Sequence, residues 1–430
     1  MATADYQKDC LAAWLERLEK RNREAIVLGL ERVQETRQRL RLDPDFPVLT
    51  VGGTNGKGST SAYLEAVLLA AGYRVGCYTS PHLLRYNERV RIAGVEASDT
   101  DLCAALAVVE KARGAVPLTY FEQGTLAAMQ LFHAAHVDVA VLEVGMGGRL
   151  DAVNAWDADC AVVTSVDLDH QQFLGDTREA IGREKAGIFR PGRPAVCGDP
   201  VPPAGLLDHA EAINARLFRL GREIHTEIGE SHWRCRVADR VYEALPRLAM
   251  PGLHQYGNAA CAVAALATLR ERLPVTMAAL REGLAHARQP GRFQVVGRQP
   301  LRILDVAHNP HAARALAASL ADLPPTGRVF AVFALLADKD LEGVVAALRS
   351  RIAHWYVAGL DGPRGMTGMA LAERLTELGC QATPHADLAT AWYAACRVAE
   401  PTDTIVSFGS FHTVAGVLAT LNGDRLEEDG

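Results

Sequence analysis

The sequence predicts an α/β protein with two domains: a larger parallel-sheet domain carrying an antiparallel extension, followed by a smaller Rossmann-like α/β domain. Three observations lead there. The 430 residues exceed what a single domain of roughly 150 residues holds. Short apolar runs alternate with Ala- and Leu-rich stretches of helical spacing, separated by Gly-rich or polar turns, as in a parallel sheet covered by helices. The alternation weakens between residues 200 and 250, and it restarts beyond a segment containing Pro290, Gly291, Gly297 and Pro300.

Taken in order, residues 6–20 place Cys10, Leu11, Trp14, Leu15 and Leu18 on one helical stripe. Strands are expected at 48–51, 74–78, 137–144 and 161–166, with helices between them. Ser98, with Asp101 three residues on, makes a capping box for a helix running toward Arg113. Residues 231–241 alternate in part and belong to an irregular or antiparallel extension, after which an Ala-rich helix covers 258–273. The domain limits are expected at 1–290 and 301–430, with 291–300 as linker. In the second domain, strands at 301–306, 329–334, 355–358 and 404–407 alternate with helices at 310–323, 341–349, 369–378, 388–399 and 413–421. Residues 424–430 read as a frayed tail.

Composition narrows the function classes. Lys and Arg number 45 against 51 Asp and Glu, a net charge of −6, so no general positive field exists to hold nucleic acid or an anionic membrane. Any phosphate site is therefore local. The most apolar run, 259–269, is far shorter than the ~20 residues that span a bilayer. Residues 1–10 include Asp5, Lys8 and Asp9 and lack a signal-peptide core, so a cytoplasmic protein is expected. Nine cysteines, of which the nearest two are Cys380 and Cys396, give neither a CxxC nor a zinc spacing and fit thiols in a reducing compartment.

The chemistry concentrates after the first strand. Residues 48–51 lead into Gly52-Gly53-Thr54-Asn55-Gly56-Lys57-Gly58-Ser59-Thr60, and a helix follows. Glycines there let backbone N–H groups turn toward an anion, the helix N-terminus adds its dipole, and Lys57 reaches terminal phosphates. This makes the first domain P-loop NTPase-like. The strict GxxxxGK[ST] pattern is broken by Val51 and by Gly58 between Lys57 and Ser59, and a plain Gly-rich turn is the alternative. Glu143 ends an apolar run just before Gly145, where an α/β sheet presents ligands, and suits Mg²⁺; otherwise it caps a turn. His170 and Lys185, taken alone, read as a packed or solvated loop residue and a solvated helix residue. Asn309 and Pro310 read as N-cap and N1 of a helix, which leaves Asp305 and His308 unexplained at a strand's carboxyl end.

The stretch GTNGKGS at 53–59, with residues 28–33, 79–83, 118–122, 147–152, 183–188 and 305–311 in the same order, resembles the folylpolyglutamate synthase family of the Mur ligase superfamily, and its bifunctional bacterial members above all. The resemblance runs nearly end to end. It implies an ATP-dependent ligase that adds L-glutamate to dihydropteroate and further glutamates to reduced folates through an acyl phosphate. It implies ATP contacts at Asn55, Gly56, Lys57, Gly58, Ser59, Asn258, Arg292 and Asp305, and two Mg²⁺ sites served by Ser80, Glu143, His170 and a carbamoylated Lys185. Leu28, Gly29, Leu30, Thr119, Tyr120, Phe121, Glu122, Leu150, Asp151 and Ala152 would meet the pterin, and His308 and Ser410 the incoming glutamate. Lys57, Lys185 and His308 would carry the chemistry. Tyr120 and Phe121 equally suit a core, Arg292 a surface charge, and Val153 stands where the family has Thr. A monomer is expected. The competing readings are a cell-wall Mur ligase, which carries a further domain before the phosphate loop where this chain has 51 residues, a ligase confined to folylpolyglutamate synthesis, and a nucleotide-driven switch without chemistry of its own.

Overall fold

A computed structural model describes residues 10–21, 27–324 and 327–428. Residues 6–9 of the first expected helix and 429–430 of the expected tail lie outside the described residues. The chain forms two compact units, one of Met1–His82, Tyr86–Ala249 and Tyr256–Arg288, the other of Leu83–Arg85, Met250–Gln255 and Gln289–Gly430.

The first unit is built on an eight-stranded sheet of β1 (Val48–Gly52), β2 (Val75–Tyr78), β3 (Val90–Ile92), β4 (Val95–Glu96), β5 (Val139–Glu143), β6 (Cys160–Val163), β7 (Pro194–Cys197) and β8 (Arg216–Arg219). Their order is β4-β3-β2-β5-β1-β6-β7-β8. The strands from β2 to β8 in that order run parallel, while β3 and β4 add antiparallel at one edge. Every residue of β1 and β5 is buried, because helices cover both faces; apolar runs without alternation are the result. Strand β6 stops at Val163, short of the expected 166, because Thr164 and Ser165 turn to brace the loop after β1.

The extension expected after residue 200 consists of helix Ala204–Ala212, then β8, then an antiparallel sheet of β9 (Ile224–Ile228), β10 (His232–Val237) and β11 (Arg240–Pro246). Along β10 exposure alternates strictly, with Trp233, Cys235 and Val237 turned inward. Ser98 caps helix Asp99–Arg113 by accepting from Asp101 N–H at 3.1 Å, as its spacing predicts. The Ala-rich helix runs over Leu253–Thr268 rather than 258–273, starting directly after Gly252 at φ 104°.

The second unit holds β12 (Gln294–Arg298), β13 (Leu301–Leu304), β14 (Val329–Phe333), β15 (His354–Val357), β16 (Ala382–Pro384) and β17 (Thr404–Phe408), ordered β12-β13-β17-β14-β15-β16. All neighbours are parallel except β12 with β13. The stretch 291–300, expected as a linker, thus supplies an edge strand; Gly297 sits at the register shift in its pairing and Pro300 in the turn to β13, instead of loosening the chain. The tail expected at 424–430 is also corrected, since helix Phe411–Glu428 continues through most of it.

Candidate active site

From β1 the chain turns through Gly53, Thr54, Asn55 and Gly56 into helix Lys57–Ala70. Gly53 has φ 141° and Gly56 φ 89°; a Cβ at Gly53 would lie 1.9 Å from Thr164 Oγ1, and one at Gly56 2.4 Å from Asn258 Oδ1. Only glycine serves at either position. Thr54 N–H donates to Ser165 O (2.7 Å), Asn55 N–H to Ser165 Oγ (3.1 Å), and the hydroxyls of Thr164 and Ser165 donate to Asn55 O (2.6 and 3.0 Å). The chain leaving β6 therefore fixes the loop's shape before any ligand arrives. Lys57 Nζ donates to Gly53 O and Thr54 O at 3.1 and 3.2 Å, and Gly58 and Ser59 are buried in the helix's first turn. A preformed turn at a helix N-terminus, with a lysine folded over it, is an anion site.

Neighbouring strands bring the remaining groups to the same edge. Glu143, last in β5 and paired with Val51 of β1, is 3% exposed, and its Oε2 accepts from Ser80 N–H at 3.3 Å. Lys185, on helix Arg178–Ala186, is 4% exposed. Burial pushes its amine down to about 7, the charge of Lys57 adds to this, and Asp169 and Asp151 oppose it. Asp151 is pushed up to about 6 by burial, against N–H donors from Met146 (2.9 Å) and Val153 (3.1 Å) and the charge of Lys57. Lys185 and Asp151 are thus buried within reach of the charge of Lys57, while Lys57 and Asp169 are only partly buried. His170, at φ 52°, opens the short helix Gln171–Leu174 with Nε2 4.0 Å from Asp169 Oδ1.

Among the described residues no three His, Cys, Asp or Glu side chains cluster as a metal cage. A buried carboxylate (Glu143), a hydroxyl (Ser80) and an imidazole (His170) beside an anion loop nevertheless fit Mg²⁺, which keeps waters and shares phosphate oxygens with one or two protein carboxylates.

The residues expected at the pterin divide in two. Thr119 and Glu122 form a reciprocal capping box for helix Tyr120–Ala134, Glu122 N–H donating to Thr119 Oγ1 (3.2 Å) and Thr119 N–H to Glu122 Oε2 (2.7 Å). Glu122 also pairs with Arg32 at 2.6 Å. Tyr120 and Phe121, both half-buried, join Tyr78 and Tyr86: the Tyr86–Tyr120 and Tyr78–Phe121 ring centroids are 5.9 and 5.8 Å apart, and Arg89 lies over Tyr86 and Tyr120 at 5.3 and 5.6 Å. Gly29 N–H donates to Leu150 O at 3.4 Å, so residues 28–30 and 150–152 adjoin. Ala152 begins a short 3₁₀ turn, with Asp151 as its cap. Sequence reasoning gave no role to Arg32, Tyr86, Arg89 or Asp169, although Arg32 lies in the 28–33 stretch of the resemblance and Asp169 stands beside His170 after a strand.

In the second unit Asp305 follows β13, its carboxylate accepting from Phe293 and Ala307 N–H, both at 2.8 Å. Burial raises its pKa, and Arg292 works against that. His308 Nδ1 is 2.9 Å from Val306 O, and Asn309 caps helix Pro310–Ala321 through Ala312 N–H at 2.9 Å. Phe411 lies between two of the expected residues, 6.2 Å from the His308 ring and 5.4 Å beneath the Arg292 guanidinium. Ser410 is buried, accepting from Thr413 N–H at 2.9 Å.

Residues 51–266 match the Mur ligase middle domain and residues 291–411 the Mur ligase glutamate ligase domain. The dihydrofolate synthase/folylpolyglutamate synthase of Escherichia coli (strain K12) is 48% identical over 416 residues, 96% of each chain, and that of Haemophilus influenzae is 41% identical over 426 residues, 94% of this chain and 96% of the other. Among solved structures, E. coli FolC in complex with DHPP and ADP superposes with TM-score 0.93 at 47% identity, covering 97% of this chain and 99% of that one. A bifunctional folylpolyglutamate synthase/dihydrofolate synthase with Mn, AMPPNP and L-glutamate bound gives 0.89 at 48%, with the same coverage. The glycine turn with Lys57 folded over it, the buried Lys185 and this end-to-end likeness agree: the chain belongs to the dihydrofolate synthase/folylpolyglutamate synthase family of Mur ligases.

Proposed function

We propose that the chain is an ATP-dependent ligase that joins L-glutamate to dihydropteroate, giving dihydrofolate, and extends tetrahydrofolates by further glutamates. The observation that carries this is the turn at Gly53–Gly56, preformed at a helix N-terminus under Lys57, with Lys185 and Asp151 buried within reach of the Lys57 charge. The folate carboxylate attacks the γ-phosphorus and ADP leaves. The amine of glutamate then attacks the acyl carbon, phosphate leaves, and the amine's proton passes to solvent or a base. No protein nucleophile is needed.

Lys57, drawn off Gly53 O and Thr54 O, meets charge growing on the transferred phosphoryl group. Ser80, Glu143 and His170 are the residues proposed to hold Mg²⁺, which supplies charge neutralisation and in-line orientation of the phosphates. Lys185 would serve a second site as a carbamate: its neutral amine adds to CO₂ and releases a proton, and an amine held near 7 supplies that neutral form. The half-exposed rings of Tyr120 and Phe121 suit a flat pterin. Asn258, against Gly56, is proposed to contact the nucleotide together with Arg292 and Asp305, and His308 and Ser410 to receive glutamate. Action as a monomer in the cytoplasm completes the proposal, and cysteines held outside disulfides suit a reducing compartment. No described helix is long and apolar enough to cross a membrane.

Purified protein given dihydropteroate, ATP, Mg²⁺ and L-glutamate should form dihydrofolate and one phosphate per amide, and tetrahydrofolate should gain glutamates. Elongation without consumption of dihydropteroate would remove the first activity. Phosphate release with no amide in either arm would sink the ligase reading in favour of a switch.

A further inference from the structure

Arg91, on β3, is largely buried and every donor of its guanidinium is engaged. Its Nε donates to both carboxylate oxygens of Glu65 (3.0 Å each), Nη2 to Glu65 Oε2 (2.7 Å) and Cys77 Sγ (3.3 Å), and Nη1 to Thr79 Oγ1 (3.3 Å) and Glu88 O (2.9 Å). All five guanidinium N–H groups are thereby used. Glu65 and Arg91 are only 9% and 18% exposed, and an ion pair so enclosed is a weak source of stability, so its position asks for another account. Three elements meet there. Glu65 lies on the helix that leaves the phosphate loop, Cys77 is Arg91's direct partner on β2, and Thr79 and Glu88 are the two ends of the segment that contains Ser80. The same Thr79 closes the β2–β3 ladder by donating its N–H to Arg89 O at 2.9 Å.

We infer that Arg91 is a positioning residue for metal binding: its planar fork clamps both ends of the 80–87 segment onto the phosphate-loop helix and so holds Ser80 against Glu143. This rests on the reading of Ser80 and Glu143 as metal-binding residues. A lysine at 91 keeps the charge beside Glu65, yet one ammonium with three donors does not reach Glu65, Thr79, Glu88 and Cys77 together. Arg91→Lys therefore separates the clamp from the ion pair.

The experiment measures Mn²⁺ binding to full-length protein in the presence of AMPPNP by electron paramagnetic resonance, with amide hydrogen exchange of residues 80–88 in the metal-free protein as a second readout. Arg91→Lys should bind Mn²⁺ about 10-fold more weakly, the usual cost of losing an orienting partner behind a metal ligand. Exchange in the segment should quicken, while AMPPNP affinity without metal stays within about twofold. Glu65→Leu/Arg91→Met, which removes both charges together, should show the same pair of changes and decides the matter if the lysine variant does not fold. Unchanged Mn²⁺ affinity and unchanged exchange in a folded variant would overturn the inference. If the parent itself binds no Mn²⁺ with AMPPNP, the metal reading fails, and the exchange rates still decide whether Arg91 holds the segment.

Discussion

Lys185 should destabilise the protein that carries it. Its amine is held near 7 in the folded state against an ordinary 10.5, chiefly because burial strips water from the ammonium and because Lys57 is close. At about 1.4 kcal/mol per pH unit, that gap is worth about 5 kcal/mol. The sign follows from proton counting. Between pH 7 and 10.5 the unfolded chain carries a proton on this lysine that the native protein has lost, so stability rises with pH across that window. Below pH 7 both states are protonated, and the penalty is complete. Lys185→Met keeps the length and apolar stem and removes the charge. At pH 7, in metal-free and bicarbonate-free buffer, it should be more stable than the parent by about 2–4 kcal/mol, the lower end allowing for imperfect packing of the thioether. Above pH 10 the two should converge. Urea denaturation of parent and variant side by side reads this directly, because titrating groups outside the Lys57, Asp151 and Asp169 neighbourhood cancel in the difference. Activity should fall by orders of magnitude in the same variant, and ¹³C-bicarbonate should label the parent but not Lys185→Met at a carbamate carbon. A variant no more stable than the parent at pH 7, with a difference that does not change up to pH 10, would refute the buried-amine argument whatever the activity does.

Two further outcomes are expected of the phosphate loop. Lys57→Ala should lower kcat by about 100-fold or more with little change in melting, since the side chain acts on charge that develops during transfer; near-normal turnover at saturating ATP would remove Lys57 from that role. Gly53→Ala combines an unfavourable φ of 141° with a Cβ 1.9 Å from Thr164 Oγ1, so it should cost at least about 2 kcal/mol and abolish nucleotide binding. Calorimetric titration with ADP and a melting curve check both halves.

Local signals were legible in the sequence and distant ones were not. Ser98 and Asn309 cap their helices where spacing alone puts them, because a cap involves only residues three or four apart. The glycines of the 53–58 stretch were legible as a phosphate loop, yet the partners that make them obligatory, Thr164 and Asn258, are more than a hundred residues away. The same holds for β12. Pro290, Gly291, Gly297 and Pro300 read as linker, and only pairing with β13 makes 294–298 a strand. Lys185 stands in Arg178–Ala186, REAIGREKA, which by composition is a solvated helix. The 147–152 loop also approaches the end of that helix closely: a Cβ on Gly148 would lie 2.9 Å from Lys185 O, and one on Gly187 2.4 Å from Arg149 Cβ. Glycines that read as mere turn residues are thus what lets the loop pack against the helix that carries the lysine.

The residues at 118–122 show how structural and chemical duties separate within one short stretch. Thr119 and Glu122 are engaged in capping their own helix, and Glu122 is held again by Arg32. Any change at Glu122 would therefore loosen the helix end and the 28–33 segment together, so a loss of folate binding there would not by itself mark a contact. Tyr120 and Phe121, between them, leave part of each ring exposed and belong to a set with Tyr78, Tyr86 and Arg89. A capping box satisfies the backbone donors of the helix's first turn, the turn on which the next two side chains stand. The two rings have an aromatic-lined surface to offer because their neighbours spend their polar atoms on the backbone.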